Sequence, residues 1–137
     1  MQFIDTNVIV YAYFEPKTPK AETKTRRESA QKIMDAIGNN AIQAATSVVH
    51  LSEAANILVK AGSPKSVSSL LRAIMAKVKV LPVAAEDYIA AAEESIENNI
   101  GINDCLAVVL MENHGITEIY SSDSDFDTFP GIKRIWQ

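Results

Sequence analysis

The sequence predicts a three-layer α/β/α sandwich with a central, mainly parallel sheet of about five strands, built as a single domain over residues 1–137. One observation is the alternation of short apolar segments with longer helical ones, because strands joined by helices pair in parallel through right-handed crossovers. The other is the composition. A chain of 137 residues, of which 47% are hydrophobic and 22% charged, suits one globular domain with its own core.

The predicted elements follow one another without a repeat or a linker. A first strand at residues 2–5 leads into an apolar helix that ends at residue 13, and Pro16 and Pro19 separate this helix from the next. Gly62, Ser63 and Pro64 end one helix and begin another, because serine caps a helix and proline fits its first turn. The remaining predicted helices cover residues 21–37, 47–60, 64–76, 85–98 and 102–113, and the remaining strands cover 41–45, 77–83, 118–121 and 132–136.

Three further residues are predicted to cap helices. Thr6 is expected to cap the first helix at its N-terminus. Gly38 follows the helix at 21–37 as a C-cap, because glycine takes the left-handed conformation at little cost. Gly115 is expected to close the helix at 102–113 in the same position of the sequence pattern.

Composition excludes several classes of protein and of metal site. The single cysteine, Cys105, rules out an intrachain disulfide and a multi-cysteine zinc site, and its apolar neighbours predict a buried side chain. Besides it, only His50 and His114 could serve a soft metal, and we expect His50 to have an ordinary surface or capping role. No apolar run approaches the roughly 18 residues that cross a bilayer, and no basic residue precedes the first apolar run as in a signal peptide. These features predict a cytoplasmic protein that does not enter the membrane.

Charge is unevenly distributed along the chain. The formal net charge is −4, yet six of the thirteen basic residues, including Arg26 and Arg27, fall between positions 17 and 32. A basic strip of this kind can bind phosphates. It can equally be a solvated helix face balanced by Glu22 and Glu28, and the sequence leaves both interpretations open.

The segment SSDSDFDTF carries Asp123, Asp125 and Asp127 at every second position. An EF-hand calcium loop would need glycine at its sixth position and glutamate at its twelfth, where this chain has Thr128 and Arg134. A phosphotransferase motif that begins with Asp-x-Asp would continue with threonine or valine where Asp127 stands. The segment therefore matches neither motif, and other acids of the chain have to be considered with it.

Three acids elsewhere lie where parallel sheets place ligand sites or along mostly apolar helices. Asp5 ends the first predicted strand and Asp123 follows the fourth, and ligands of such sheets bind beyond the carboxyl ends of strands. Glu53 lies in a mostly apolar helix, and Asp104 opens another on a core-facing stripe. Taken singly, Asp5 could be a turn or capping residue, Asp104 could favour the helix dipole and Glu53 could face water. As a set, they predict an acidic site.

The ordered set of these motifs resembles the PIN-domain ribonucleases, many of which are VapC-type toxins of toxin–antitoxin modules. The resemblance rests on Asp5-Thr6-Asn7 near the N-terminus, Glu53 in a mid-chain helix, Asp104 at the start of a later helix, and SSDSDF. It covers essentially the whole chain. It implies an acidic pocket that holds Mg²⁺ or Mn²⁺ and an endoribonuclease that hydrolyses RNA phosphodiester bonds.

The resemblance also implies roles for individual residues. The catalytic and metal-binding acids would be Asp5, Glu53, Asp104 and Asp123. The supporting residues would be Asn7, Ser121 and Asp125, whereas Asp127 has no counterpart and is interpreted as a turn residue. We expect Phe126 to anchor the loop in the core. Arg26 and Arg27, within the basic strip at 17–32, are our candidates for binding the phosphates of the RNA, and Lys60, Lys65 or Lys133 could serve equally well.

The expected partners are an RNA substrate, an antitoxin protein and a second copy of the chain in a homodimer. Apolar residues from Val8 to Phe14 would suit a dimer or antitoxin groove, although burial in the core explains them equally well. Two other functions of the same family stay open: an RNA-processing nuclease that is not a toxin, and a non-catalytic module that binds RNA or protein. The four acids argue against the second, because a retired site has no reason to keep groups that repel one another. A signalling receiver domain is disfavoured because the strand VKVLPV ends without an acid.

Overall fold

A parallel sheet forms the centre of the fold. The computed structural model of the chain describes residues 1–14, 17–18 and 20–136. These described residues contain one sheet of five strands in the order β3-β2-β1-β4-β5, and every neighbouring pair runs parallel. The strands are β1 (Gln2–Ile4), β2 (Ala44–Ser47), β3 (Val78–Leu81), β4 (Glu118–Tyr120) and β5 (Lys133–Ile135). The predicted five-stranded parallel sheet is therefore confirmed.

Helices connect the strands in pairs. In chain order the described helices are α1 (Thr6–Tyr13), α2 (Ala21–Gly38), α3 (Val48–Ala61), α4 (Pro64–Met75), α5 (Ala85–Asn98) and α6 (Ile102–Asn113), followed by a 3₁₀ helix at Ser124–Thr128 between β4 and β5. Their bounds agree with the predicted ones to within one residue. Pro16 and Pro19, which are predicted to separate the first two helices, lie outside the described residues. Within the part of the chain that the structure covers, no helix has both the length and the apolar character needed to cross a membrane.

The side chains of β1 divide the core into two halves. Phe3 packs among buried residues that include Leu106 of α6, whereas Ile4 packs among buried residues that include Ile33 of α2 and Leu51 of α3. Successive side chains of a strand point to opposite faces of the sheet, so each face is covered by its own set of helices. This arrangement gives the three layers that the sequence predicts.

The C-cap prediction for Gly38 is wrong. Gly38 is the last residue of α2, and Asn40 takes the left-handed conformation instead, with φ of 60°. The N–H of Ala41 donates to the carbonyl of Ala36 at 2.8 Å, which is the outer hydrogen bond of a Schellman motif with asparagine in the usual glycine position. This turn occupies the first residues of the strand that is predicted at 41–45, and the strand therefore begins later.

Two other helix boundaries form as the sequence predicts. The Oγ atom of Ser63 accepts a hydrogen bond from the N–H of Ser66 at 3.1 Å, and Pro64 is the first residue of α4. Gly115 follows α6 with φ of 67°. This positive φ lies in the left-handed region, which glycine adopts at little steric cost. Cys105 is fully buried, in agreement with its predicted role as a small apolar residue.

Candidate active site

Asp5 and Ser121 lie side by side where two neighbouring strands end. β1 and β4 pair in parallel, so the residues that follow them meet at one edge of the sheet. The Ser121 hydroxyl donates to Oδ2 of Asp5 at 2.8 Å. The other oxygen, Oδ1, accepts from the N–H of Thr6 at 2.8 Å and makes Asp5 the N-cap of α1. The prediction that Thr6 caps this helix is wrong, because Thr6 is its first helical residue and donates its hydroxyl to the carbonyl of His50.

Ser121 also joins Asn7 and Asp123 to this edge. Its Oγ accepts from the backbone N–H of Asp123 at 3.0 Å and from Nδ2 of Asn7 at 3.4 Å. One donated and two accepted hydrogen bonds use the full capacity of a serine hydroxyl. Among the described residues, no donor reaches the buried Oδ1 atom of Asn7. Asn7 and Ser121 therefore hold the positions of Asp5 and Asp123 and leave one buried acceptor to be satisfied.

Three aspartates form what we call the acidic cluster: Asp104, Asp123 and Asp125. One carboxylate oxygen from each lies within 4.8 Å of those of the other two. Asp104 reaches this point from the first turn of α6. Asp123 caps the 3₁₀ helix by accepting the N–H of Asp125 at 2.9 Å, which keeps the two carboxylates on one side of the turn. The fold thus brings together acids from residues 104 and 123–125.

The surroundings of Asp104 and Asp5 disfavour the ionised form of both carboxyl groups. The pKa of Asp104 is raised to about 7, chiefly by burial and then by the charges of Asp5, Asp123, Glu53 and Asp125, in that order of size. Among the described residues, every charged group that perturbs the pKa of Asp104 is another carboxylate. The pKa of Asp5 is raised to about 6: burial is the largest cause, the hydrogen bonds from Ser121 and Thr6 oppose it, and the charges of Asp123 and Glu53 add smaller increases.

Glu53 approaches the site from α3 through a residue that the sequence reasoning overlooked. Nδ2 of Asn103 donates to Oε2 of Glu53 at 2.9 Å, and Asn103 directly precedes Asp104 on α6. A polar residue beside a candidate acid in a helix's first turn is the one sequence signal that could have drawn attention to it. Of the surface or capping role predicted for His50, the surface part is wrong, since the residue is only 1% exposed; its ring lies between Ser47, the N-cap of α3, and α6.

Asp127 takes no part in the acidic cluster. Its two oxygens accept from Nε and Nη2 of Arg134 at 3.0 and 2.9 Å, and this pairing lowers the pKa of Asp127. The pair ties the end of the 3₁₀ helix to β5. Phe126 is fully buried between Asp125 and Asp127, which confirms its predicted anchoring role.

The geometry agrees with what comparison with known proteins finds. The model of the PIN domain family matches residues 3–132. The chain belongs to the PIN domain family. Over 137 residues it is 25% identical to ribonuclease VapC13 of Mycobacterium tuberculosis, covering 98% of this chain and 99% of that protein.

Solved structures share the fold of this PIN domain. The crystal structure of the sarcin–ricin loop cleaving toxin VapC20 of Mycobacterium tuberculosis superimposes with a TM-score of 0.77 at 18% identity and covers 100% of both chains. A toxin–antitoxin complex from Klebsiella pneumoniae matches with a TM-score of 0.68 at 14% identity, over 97% of this chain and 96% of that one. The arrangement of strands and helices is thus that of the family along the whole chain.

The donor set of this PIN domain suits a hard divalent cation. Carboxylate oxygens are the ligands that Mg²⁺ and Mn²⁺ prefer, and three of them converge in the acidic cluster. A cation there would lower the cost of keeping these carboxylates ionised, which is the unfavourable feature of the site. The unsatisfied Oδ1 of Asn7 could accept a hydrogen bond from a water that such a cation retains. The residues present therefore fit a metal.

The predicted phosphate-binding arginines lie on α2. Arg26 is engaged within the protein: Nη2 pairs with Oε1 of Glu22 at 2.5 Å, and Nη1 donates to the hydroxyl of Tyr11 at 3.2 Å. Its guanidinium also lies 5.7 Å from the centre of the Tyr11 ring. Arg27 is half-buried on the same helix. Each of the two open interpretations of the basic strip thus has an observation in its favour. The pairing with Glu22 supports a charge-balanced helix face, and the contact with Tyr11 gives Arg26 a defined position, as phosphate binding would need.

Burial in the core of this PIN domain explains several of the apolar residues between positions 8 and 14. Val8, Ile9 and Ala12 are buried in it, so they offer no surface to a partner. Tyr13 is 42% exposed and lines, with Leu58 of α3 and other residues, a cavity of about 400 Å³. A contact surface at this end of α1 is accordingly confined to its last residues.

Proposed function

We propose that the chain is a metal-dependent endoribonuclease that hydrolyses RNA phosphodiester bonds and acts as the toxin of a toxin–antitoxin pair. The observation that supports this most is the convergence of carboxylates from α6 and the 3₁₀ helix beside Asp5 at the strand ends. Membership of the PIN domain family and similarity to ribonuclease VapC13 over the whole chain add support.

In this proposal Mg²⁺ or Mn²⁺ is held by the acidic cluster together with Asp5 and Glu53. When bound, such an ion supplies an activated water and stabilises negative charge on the phosphate and the leaving oxygen. Asp104 and Asp123 are the central ligands, and Asp125 joins them more closely than a merely supporting residue would. The protein's own part is to hold these carboxylates in place before the metal arrives.

The hydrogen bonds of the site accomplish that positioning. Ser121 and the N–H of Thr6 fix both oxygens of Asp5.

In the absence of metal and at neutral pH, the raised pKa keeps a proton on the carboxyl of Asp104 for part of the time, and metal binding releases this proton. Binding should therefore weaken as the pH falls below about 7.

For the RNA, we propose Arg26 and Arg27 as phosphate contacts. Support comes from the concentration of basic residues in this part of the sequence and from the position of Arg26 against the Tyr11 ring. RNA strands lie well against cations that neighbour an aromatic ring, because phosphates meet the charge and bases can stack on the ring.

An antitoxin and a second copy of the chain are the proposed protein partners. The structural likeness to a toxin–antitoxin complex supports the first. For the homodimer, the support is limited to apolar side chains at the end of α1, such as Tyr13. Since the substrate would be cellular RNA, we propose that the protein acts in the cytoplasm.

A cleavage assay tests the proposed activity. Structured RNAs, including a sarcin–ricin loop fragment, would be incubated with the wild type and with Asp5→Asn in Mg²⁺, Mn²⁺ or EDTA. We expect cleavage by the wild type with either metal, none with EDTA, and loss of cleavage in Asp5→Asn. Cleavage that persists in EDTA would contradict the proposal, and the absence of cleavage under every condition would favour a non-catalytic PIN module.

A further inference from the structure

A buried histidine connects the two helices that carry Glu53 and Asp104. Nε2 of His50, in the first turn of α3, lies 2.9 Å from the carbonyl oxygen of Asn103, in the first turn of α6. A carbonyl can only accept, so Nε2 carries the hydrogen and Nδ1 is the acceptor in the neutral ring. Nδ1 then accepts a hydrogen bond from the hydroxyl of Ser47, whose oxygen lies 2.6 Å away.

Every polar atom of this connection has a partner. Ser47 is the N-cap of α3, and its Oγ accepts the backbone N–H of His50 at 3.2 Å while it donates to the ring. His50 is 1% exposed, and its ring packs at nearly a right angle (82°) to the ring of Phe3 with 5.1 Å between the ring centres. A fully satisfied buried network of this kind holds its members rigidly. It fixes the main chain of Asn103 relative to the start of α3.

The side chain of Asn103 is held at both of its polar atoms. Nδ2 donates to Oε2 of Glu53 at 2.9 Å, and Oδ1 accepts from the hydroxyl of Tyr88 on α5 at 3.3 Å. A carboxylate only accepts, so the amide nitrogen must face Glu53 and the amide oxygen must face Tyr88. The orientation of the amide is thus set by its two neighbours.

We propose that Asn103 is a positioning residue, fixed by His50 and Tyr88, that holds the carboxylate of Glu53 in place for metal binding. This inference rests on the proposed function. Glu53 is half-buried on α3, and a glutamate without such a partner would have to lose its side-chain freedom on each binding event. Partners of this kind that orient metal ligands contribute about 10- to 100-fold to metal affinity or activity.

The structure offers a variant that removes the proposed contact and keeps the bond between His50 and the main chain of Asn103. His50 bonds to the main-chain carbonyl of Asn103, so Asn103→Ala leaves that bond in place and deletes the amide with its hydrogen bonds to Glu53 and Tyr88. Asn56→Ala is the matched control, because Asn56 is an exposed amide three residues beyond Glu53 on the same helix. Among the described residues, Asn56 makes no hydrogen bond to Glu53.

The experiment measures Mn²⁺ binding by electron paramagnetic resonance, the metal-free melting temperature, and RNA cleavage over a range of Mn²⁺ concentrations. For Asn103→Ala we expect a Kd for Mn²⁺ about 10-fold above that of the wild type. We also expect an unchanged metal-free melting temperature and recovery of cleavage at high Mn²⁺. Asn56→Ala should match the wild type in all three.

Two results would overturn the inference while leaving the proposed function intact. One is a wild type that binds Mn²⁺ and cleaves RNA beside an Asn103→Ala variant with the same Kd. The other is an Asn103→Ala variant that only melts at a lower temperature, which would make the contact structural. A wild type that binds no Mn²⁺ would overturn the proposed function and this inference together.

Discussion

Two carboxylates that are only two residues apart in the sequence have opposite surroundings. Asp125 belongs to the acidic cluster, where burial and neighbouring carboxylates raise the pKa of Asp104. Asp127, at the other side of the buried Phe126, is paired with Arg134, which lowers its pKa. The pair at Asp127 is explained by folding alone. The acidic cluster costs folding free energy, and such a cost is expected where a ligand repays it.

The largest effect is expected on RNA cleavage, when a carboxylate of the acidic cluster is replaced. We expect Asp104→Asn to lower the rate of RNA cleavage by at least about 100-fold. It removes one of the carboxylate charges that would hold the metal, and the metal would stabilise the charge of the transition state. Asp123→Asn should behave in the same way. Single-turnover cleavage of a structured RNA at saturating Mn²⁺ measures the effect. Metal-free thermal stability should stay unchanged or rise, because one of several repelling charges is gone.

Asp127→Asn is the control from the other side of the comparison. It should cleave RNA at a rate within about twofold of the wild type, since surface ion pairs contribute little to stability or geometry. Its melting temperature should fall slightly, because Arg134 loses its partner. Should Asp104→Asn fail to fold while Asp127→Asn stops cleaving, the structural and functional roles assigned to these acids would be reversed.

A second effect is the dependence of stability on pH without metal. Raised pKa values of about 6 for Asp5 and about 7 for Asp104 mean that the folded state holds these protons longer than the unfolded state. Stability therefore falls as the pH rises from 3.8 through 6 to 7, by an amount on the order of 3 kcal/mol for Asp5 alone. The lowered pKa of Asp127 has the opposite sign, and its contribution is complete and constant above pH 5.

Urea unfolding at pH 5 and pH 7.5 checks this prediction. The metal-free wild type should be more stable at pH 5, and Asp104→Asn should reduce that difference. Adding Mn²⁺ at pH 7.5 should raise stability by the amount that its concentration relative to Kd dictates, and should have less effect at pH 5. Equal pH dependence in the wild type and in Asp104→Asn would contradict the raised pKa of Asp104.

The smallest expected effect concerns charges outside the site. Because the acidic cluster repels RNA in the absence of metal, the phosphates need cations elsewhere, and we propose Arg26 and Arg27. Charge reversal at both should weaken RNA binding and flatten the plot of log K against log salt by about 0.7 for each lost phosphate contact. Lys79→Glu, at an exposed position of the edge strand β3, is the control. An unchanged slope in the double variant would exclude this strip.

The fold could be predicted from the sequence because its signals are local. Apolar periodicity and the Gly62-Ser63-Pro64 boundary are properties of neighbouring residues, and the predicted bounds of α5 and α6 are those observed. The choice of Asn40 over Gly38 for the left-handed turn is less local, since it depends on where the chain must enter β2. Either residue can adopt that conformation.

The candidate site could be predicted only in part, because some of its contacts join distant segments. The positions of the acids that follow strands can be deduced from the parallel topology, and Asp5 lies at the carboxyl end of β1 as predicted. The burial of His50 requires α6 to cover the first turn of α3, which no pattern within α3 reveals. In the same way, the amide of Asn103 meets Glu53 across 50 residues of sequence.

Mn²⁺ titration followed by electron paramagnetic resonance tests most directly whether the acidic cluster holds a divalent cation. The wild type, Asp104→Asn and Asp127→Asn would be titrated at pH 7.5 under the same conditions. We predict saturable binding in the wild type and in Asp127→Asn, and its loss in Asp104→Asn. Equal binding in all three proteins, or no binding by the wild type, would contradict the account.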